Sequence, residues 1–256
     1  MYNRVACEVR LNCTTRCERT VPKRQVAKFG GRNRQYSMSN PQGYPKILFS
    51  AYDKFMLPLG GKRVPTPYRR NETGSFQKIG SQFQGKSSPE ILTETTKRLA
   101  KEQNFNLGKA SVEEIREFMK KNKLGIDCSG FVYRMLNHLV EKLGLGNLEK
   151  AAGFPHVGRT NVAKLTSDEF TILIADFSLT QAGDLIRLNG GGDVLHSVII
   201  LDNQDGVITY AHSSNETNPS GVHQDKTVSN QLPPDLSYFS YNINKGDGIR
   251  RLKILA

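Results

Sequence analysis

The sequence predicts an α+β protein in which a helix with a cysteine at its start packs on an antiparallel sheet. Apolar residues recur with helical spacing at positions 131, 132, 135, 136, 139, 140 and 143. Two strand-like runs, 195–201 and 207–212, follow and are joined by a polar segment. A further alternating run at 248–254 predicts a closing strand. Helices followed by antiparallel strands are typical of the α+β class.

The start of the predicted helix places a cysteine where its thiol could react. Asp127 is a favourable N-cap residue, so Cys128 and Ser129 fall in the first turn. Backbone N–H groups and the positive end of the helix dipole stabilise a thiolate there. A lone cysteine is more often an inert core residue. Two downstream histidines favour a nucleophile instead.

His196 and His212 lie in the two strand-like runs that form a predicted hairpin. A three-residue connection would pair residues of like parity, so we expect both imidazoles on one face, within roughly 5 to 8 Å. A connection of two or four residues would separate them. On a shared face, Cys128 is the nucleophile, His196 its base and His212 the group that orients the base.

Four motifs occur in a fixed order. They are Asp-Cys-Ser-Gly-Phe-Val at 127–132, Ala-Gly-Asp-Leu-Ile-Arg-Leu at 182–188, His-Ser-Val-Ile-Ile-Leu at 196–201 and Tyr-Ala-His at 210–212. Together they resemble the NlpC family of papain-like cysteine peptidases, which cut bacterial cell-wall peptides. The resemblance implies a papain-like fold and hydrolysis of amide bonds in peptidoglycan stem peptides without a cofactor.

The resemblance also implies a substrate site. In the family, the acid before the cysteine, the serine after it and an upstream tyrosine bind the free amine of a stem peptide. These positions correspond to Asp127, Ser129 and Tyr68. Arg69 and Arg70 follow Tyr68 where the family often has Trp-Gly-Gly, and the distance to Cys128 is longer than usual. A helix cap and a tyrosine in a surface turn are the competing interpretations.

The extra length is explained by a predicted insertion at 72–124. Ser88 and Pro89 are typical of a helix start, and this helix is predicted to end at about Gln103. A capping box at 111–114 opens a second helix. We expect both helices to pack beside the helix of Cys128 and to narrow the cleft. A preceding amphipathic helix at 45–56 should end at Pro58 and the glycines after it.

The basic charge belongs to the front of the chain. Of the net charge of +12, all is carried by residues 1–70, which hold 15 Lys and Arg against 3 Asp and Glu. Residues 1–43 lack helical or strand periodicity and are predicted to be a disordered tail before a domain at 44–256. The tail is either a solvated arm or a tether to a polyanion, such as an anionic wall polymer, anionic lipid or nucleic acid. We do not expect nucleic acid to be the partner of the domain.

Other features of the chain predict no further chemistry. Cys7, Cys13 and Cys17 do not have the spacing of a zinc site, so no metal is expected. His138, His156 and His223 are expected to be structural or on the surface. No run of 18 apolar residues is present, so no membrane span is predicted. The resemblance implies a location outside the cytoplasm, although no signal peptide is visible.

Two other functions are compatible with the same residues. The first is an acyltransferase of the same fold, in which a molecule other than water accepts the acyl group. A non-catalytic module would bind an anionic polymer or nucleic acid through the basic tail, and it would need no thiol of lowered pKa.

Removal of residues 1–43 should separate binding from chemistry. We expect unchanged hydrolysis of a small soluble peptide and weaker binding to intact cell walls. The loss of binding should be larger at low salt, where charges are screened less. Peptide turnover and a wall-pelleting assay measure the two effects. Loss of small-peptide activity would show that the tail belongs to the fold.

Overall fold

A six-stranded antiparallel sheet and the helices packed on it form most of the structure. The computed structural model describes residues 43–70, 84–188, 195–218, 220–228 and 243–256. Most of the predicted tail, with its three cysteines, and the first part of the insertion lie outside these ranges. The helices are α1 (Tyr44–Lys54), α2 (Pro89–Glu102), α3 (Val112–Lys121), α4 (Cys128–Lys142), α5 (Leu148–Ala152) and α6 (Val162–Leu165).

The strands form two sheets. They are β1 (Met56–Leu59), β2 (Lys62–Pro65), β3 (Thr171–Ile174), β4 (Leu185–Leu188), β5 (His196–Gln204), β6 (Val207–Ser214), β7 (Gly221–Val228) and β8 (Gly248–Leu252). β1 and β2 pair only with each other, whereas the other six strands have the order β3-β8-β4-β5-β6-β7. Every pairing in this larger sheet is antiparallel. The predicted α+β class is confirmed, and β8 is the predicted closing strand.

The apolar stripe of α4 explains why this helix lies at the centre of the fold. Its members are fully buried against α1, β5 and β6: Phe131, Val132, Met135, Leu136, Leu139 and Val140. α1 contributes Leu48 to this core. Phe55, the residue after α1, packs edge-on against Phe131, with 5.0 Å between the ring centroids. Burial of this stripe fixes the rotation of α4, and therefore the direction of its first turn. None of the described helices is long and apolar enough to cross a membrane.

The turn between β5 and β6 differs from the prediction. Asp205 and Gly206 form a two-residue turn with φ of 53° and 84°, and Gln204 pairs with Val207 across it. Positive φ at both positions is typical of the tight turns whose twist matches that of the strands. The predicted three-residue connection is therefore wrong, and the turn by itself would put the two histidines on opposite faces.

A β-bulge in β5 restores the shared face. The register shifts between Ile200 and Asp202, so that β5 has one extra residue there. Beyond the bulge, Ile200 pairs with Tyr210 and Ile199 with Ala211. Between the bulge and the start of β5, even-numbered residues of β5 therefore lie opposite even-numbered residues of β6. The imidazoles of His196 and His212 consequently lie on the same face.

The described part of the insertion forms a core of its own. Ser88 caps α2, with its Oγ accepting from Ile91 N at 3.4 Å, and Ser111 and Glu114 form the predicted capping box of α3. Both helices pack on the β1–β2 hairpin, which the sequence analysis did not predict, rather than making their main contacts with α4. The shared core consists of Leu57, Leu59, Val64, Leu92, Ala110, Ile115, Met119 and Leu124. The main contacts of both helices are thus with the hairpin and not, as had been expected, with α4.

Two glycines in the β1–β2 turn test this arrangement. Gly60 and Gly61 both have positive φ, at 58° and 75°. A methyl group on Gly60 would lie 2.0 Å from the carbonyl oxygen of Leu107, whereas one on Gly61 meets nothing within 4 Å. Gly61→Ala should cost about 1 to 2 kcal/mol of stability from backbone strain. Gly60→Ala should cost about 1 to 3 kcal/mol more because the insertion must also shift.

Urea unfolding of the two variants measures this difference. Equal midpoints would contradict the docking of the insertion on the hairpin.

Candidate active site

Asp127 organises the start of α4. Its Oδ1 accepts a hydrogen bond from Gly130 N at 2.6 Å, which confirms the predicted N-cap. The hydroxyl of Ser129 also donates to Oδ1, at 3.1 Å. Cys128 and Ser129 are both buried in the first turn. The helix start is therefore enclosed by protein.

Burial dominates the acidity of the Cys128 thiol. Removal from water raises its pKa to about 11, and the nearby carboxylate of Asp127 acts in the same direction. The ammonium of Lys86 and the backbone N–H groups of Ser197 and Ser129 oppose this rise. The expectation of a lowered pKa from the helix start alone is thus not met in this structure. A raised pKa favours the protonated thiol, so a nucleophilic role for Cys128 would need a neighbouring base.

The contact with Ser197 N–H places the thiol at the end of β5 where His196 begins the strand. His196 Nε2 lies 2.7 Å from His212 Nδ1, and the ring centroids are 4.9 Å apart. Both histidines are buried. When His196 Nε2 donates to His212 Nδ1, the Nδ1 of His196 carries no proton and can accept one. The predicted pair is confirmed as a geometric unit.

His223 extends this pair into a row of three imidazoles. It lies directly opposite His212 on β7, and the two ring centroids are 4.1 Å apart. Its Nδ1 donates to the carbonyl oxygen of Gly221 at 3.1 Å, which determines the orientation of the ring. His223 was expected to be structural or on the surface, and the strand that carries it, β7, was not predicted. His156, by contrast, accepts from Gly158 N at 3.2 Å and caps a local turn, as predicted for a structural residue.

Tyr68 lies beside the candidate nucleophile despite the insertion. The segment around it runs alongside Ile126, which donates to Pro67 O at 3.1 Å and accepts from Arg69 N at 3.2 Å. Burial raises the pKa of the Tyr68 phenol, and the proximity of Cys128 and Asp127 raises it further. The insertion lies between the two paired segments, 67–69 and Ile126, in the sequence. Its length therefore does not displace Tyr68 from Cys128.

Lys86 is a site residue that the sequence analysis missed. Its Nζ lies 2.8 Å from Asp127 Oδ1 and also donates to the hydroxyl of Ser129. The side chain is only 10 % exposed. Lys86 is 41 residues before Asp127 in a polar stretch without periodicity, so no sequence signal joins the two.

The predicted site residues are therefore close together in space. The thiol, the imidazole pair, Tyr68 and the Asp127–Ser129 pair surround the start of α4. This arrangement places a thiol at the end of β5 that carries one of two contacting imidazoles, next to backbone N–H groups at a helix start. Among the described residues, no cluster of three or more His, Cys, Asp or Glu side chains is arranged to hold a metal ion.

Comparison with known proteins adds no family assignment. No protein-family model matches the chain, and no curated protein matches it either. Any function must therefore be argued from the geometry of the site and from the motifs.

Two charge substitutions should move the reactivity of Cys128 in opposite directions. Lys86→Met removes a cation that stabilises the thiolate, so the pKa of the thiol should rise. Asp127→Asn keeps a capping side chain but removes an anion, so the pKa should fall. At a fixed pH below the pKa, alkylation by iodoacetamide should change on the order of tenfold in each direction.

Peptide mass spectrometry of Cys128 over a pH series measures both rates. Shifts of the same sign in the two variants would contradict the proposed electrostatics.

Proposed function

We propose that the protein is a papain-like cysteine peptidase or amidase of the NlpC type that hydrolyses amide bonds in peptidoglycan stem peptides. The contact between His196 and His212 beside the Cys128 thiol is the observation that carries this proposal. A buried imidazole pair is costly to desolvate, which is typical of functional sites. Its position at the end of β5 next to the thiol suits a base that accepts the thiol proton. The packing of α4 on β5 and β6 supports the papain-like part of the proposal.

The chemistry follows from the protonation states. His196 Nδ1 takes the proton of the Cys128 thiol as the sulfur attacks the carbonyl carbon of the substrate amide. His196 Nε2–H donates to His212 Nδ1, which holds the ring and stabilises the imidazolium that forms. The backbone N–H of Cys128, at the start of α4, donates to the developing oxyanion.

Collapse of the tetrahedral intermediate breaks the C–N bond. The imidazolium of His196 gives its proton to the leaving amine, and the acyl group remains on sulfur as a thioester. Water then attacks this thioester, with His196 again accepting a proton, and the carboxylic acid and free thiol are released.

The substrate class is supported by the four motifs and by the position of Tyr68. The motifs resemble those of enzymes that cut cell-wall peptides, and Tyr68 lies near Cys128 and Asp127, the residues with which the resemblance groups it. The anionic polymers of a bacterial wall are also a fitting partner for a tail rich in Lys and Arg.

Three histidine variants test the proposal on purified peptidoglycan. His196→Ala should lower turnover by about 10³-fold or more because the thiol loses its base. His212→Asn should retain a measurable fraction because an amide can still orient the ring. His156→Asn, which keeps a capping side chain, is the matched control and should have wild-type activity.

Mass spectrometry of the released fragments measures the turnover and identifies the bond cut. An active His196→Ala variant would contradict the proposed base. Transfer of the acyl group to an added amine in preference to water would identify an acyltransferase instead.

A further inference from the structure

The mechanism above does not use Lys86, although its ammonium is buried within the site. The residue is 8 % exposed, and its partners Asp127 and Ser129 are 9 % and 4 % exposed. An ammonium is costly to bury unless it is paired and hydrogen-bonded. The Asp127 carboxylate and the Ser129 hydroxyl satisfy this requirement.

The backbone of Lys86 is held by several independent contacts. Its carbonyl oxygen accepts from Arg134 Nε and Nη2, on α4, at 3.2 Å and 2.9 Å. The residue pairs with Ile126, and Asp127 N donates to Gly85 O at 2.9 Å. The position of the ammonium is therefore set by the fold.

The helix also provides space for the Lys86 side chain. A methyl group on Gly130 would lie 2.3 Å from Gly85 O and 3.0 Å from Lys86 Cδ. Any larger residue at this position of α4 would push the lysine segment away. The glycine in the first turn is thus required by the close approach of the Gly85 backbone, which carries Lys86 as the next residue.

We propose that Lys86 is a specificity-determining residue: its ammonium occupies the cation-binding position of Asp127 and Ser129, so the enzyme prefers substrates whose amine beside the scissile bond is acylated. This inference rests on the proposed function and deepens it. It reverses the preference for a free amine that the resemblance implies. The preferred substrate class is a stem peptide whose N-terminus is still in amide linkage.

The physical reason is competition for one carboxylate oxygen. Gly130 N, Ser129 Oγ and Lys86 Nζ all donate to Asp127 Oδ1. An incoming ammonium would have to displace Lys86 or lie close to it at an enclosed site, where repulsion between like charges is strong. An amide N–H carries no net charge and avoids this repulsion.

Paired substrates test the inference. A stem peptide and its N-acetylated form should differ in kcat/KM by at least tenfold in favour of the acetylated peptide. Lys86→Met should reduce this ratio at least tenfold because the position becomes open to an ammonium. Lys109→Met removes an exposed lysine next to Gly108, whose carbonyl oxygen accepts from Lys62 of the β1–β2 hairpin, and should keep the wild-type ratio. A change in the acidity of Cys128 acts on both substrates and cancels in the ratio.

A second measurement does not depend on hydrolysis. Methyl methanethiosulfonate and its 2-aminoethyl analogue both form a mixed disulfide with Cys128 and release a sulfinate, but only the second is cationic. The rate ratio of cationic to neutral reagent should be at least tenfold lower at Cys128 than for a cysteine in a short uncharged peptide. In Lys86→Met the ratio should approach the peptide value.

The two measurements distinguish the possible failures. If neither stem peptide is cut but the reagent ratio is low and rises in Lys86→Met, the proposed function fails and the charge exclusion stands. If peptides are cut and the wild type prefers the free amine, the role of Lys86 is overturned while the peptidase assignment stands. An unchanged reagent ratio in Lys86→Met also overturns it. If Lys86→Met does not fold, the wild-type protein still tests the role of Lys86. A preference for the free amine, or a reagent ratio equal to that of the peptide, would overturn this role.

Discussion

One buried carboxylate, that of Asp127, connects the local structure of this protein with its chemistry. The same oxygen caps α4 through Gly130 N and accepts from Ser129 and Lys86. A cap of this kind is worth about 1 kcal/mol in an exposed helix. Here it also fixes the first turn, which carries the Cys128 thiol to the end of β5. The helix start, the candidate nucleophile and the internal ammonium therefore depend on each other.

The acidity of the thiol shows how burial competes with the helix start. A cysteine in a first turn is favoured as a thiolate when the turn is open to solvent. In this structure desolvation outweighs that effect and raises the pKa of Cys128, while Lys86 and two backbone N–H groups reduce the rise. In the proposed mechanism, His196 would therefore accept the proton while the sulfur attacks. The proposed chemistry therefore depends mainly on the His196–His212 pair, which has to accept this proton.

The sequence predicted the features that depend on local patterns. The stripe of α4, the cap at Asp127 and the capping box at Ser111 have characteristic spacings, and all three are present. A three-residue turn was predicted to place His196 and His212 on one face of the sheet. In the structure they share a face because a two-residue turn is combined with a bulge. A bulge leaves no clear sequence signal, so the correct conclusion came from an incorrect turn length.

The features that were missed depend on contacts between distant parts of the chain. Lys86 pairs with a carboxylate 41 residues away, and His223 meets His212 only because β7 pairs with β6. The β1–β2 hairpin did have a local signal, since Gly60 and Gly61 suit a tight turn between the runs 56–59 and 62–65. They were interpreted as the end of a helix instead.

The proposed hydrolysis requires that Cys128 form a covalent acyl intermediate. Rapid acid quenching of the protein mixed with excess peptidoglycan fragments, followed by mass spectrometry, tests it directly. We expect a transient adduct on the Cys128 peptide whose mass equals the acyl part of the released product. Full product formation without this adduct, together with an active Cys128→Ala variant, would contradict it.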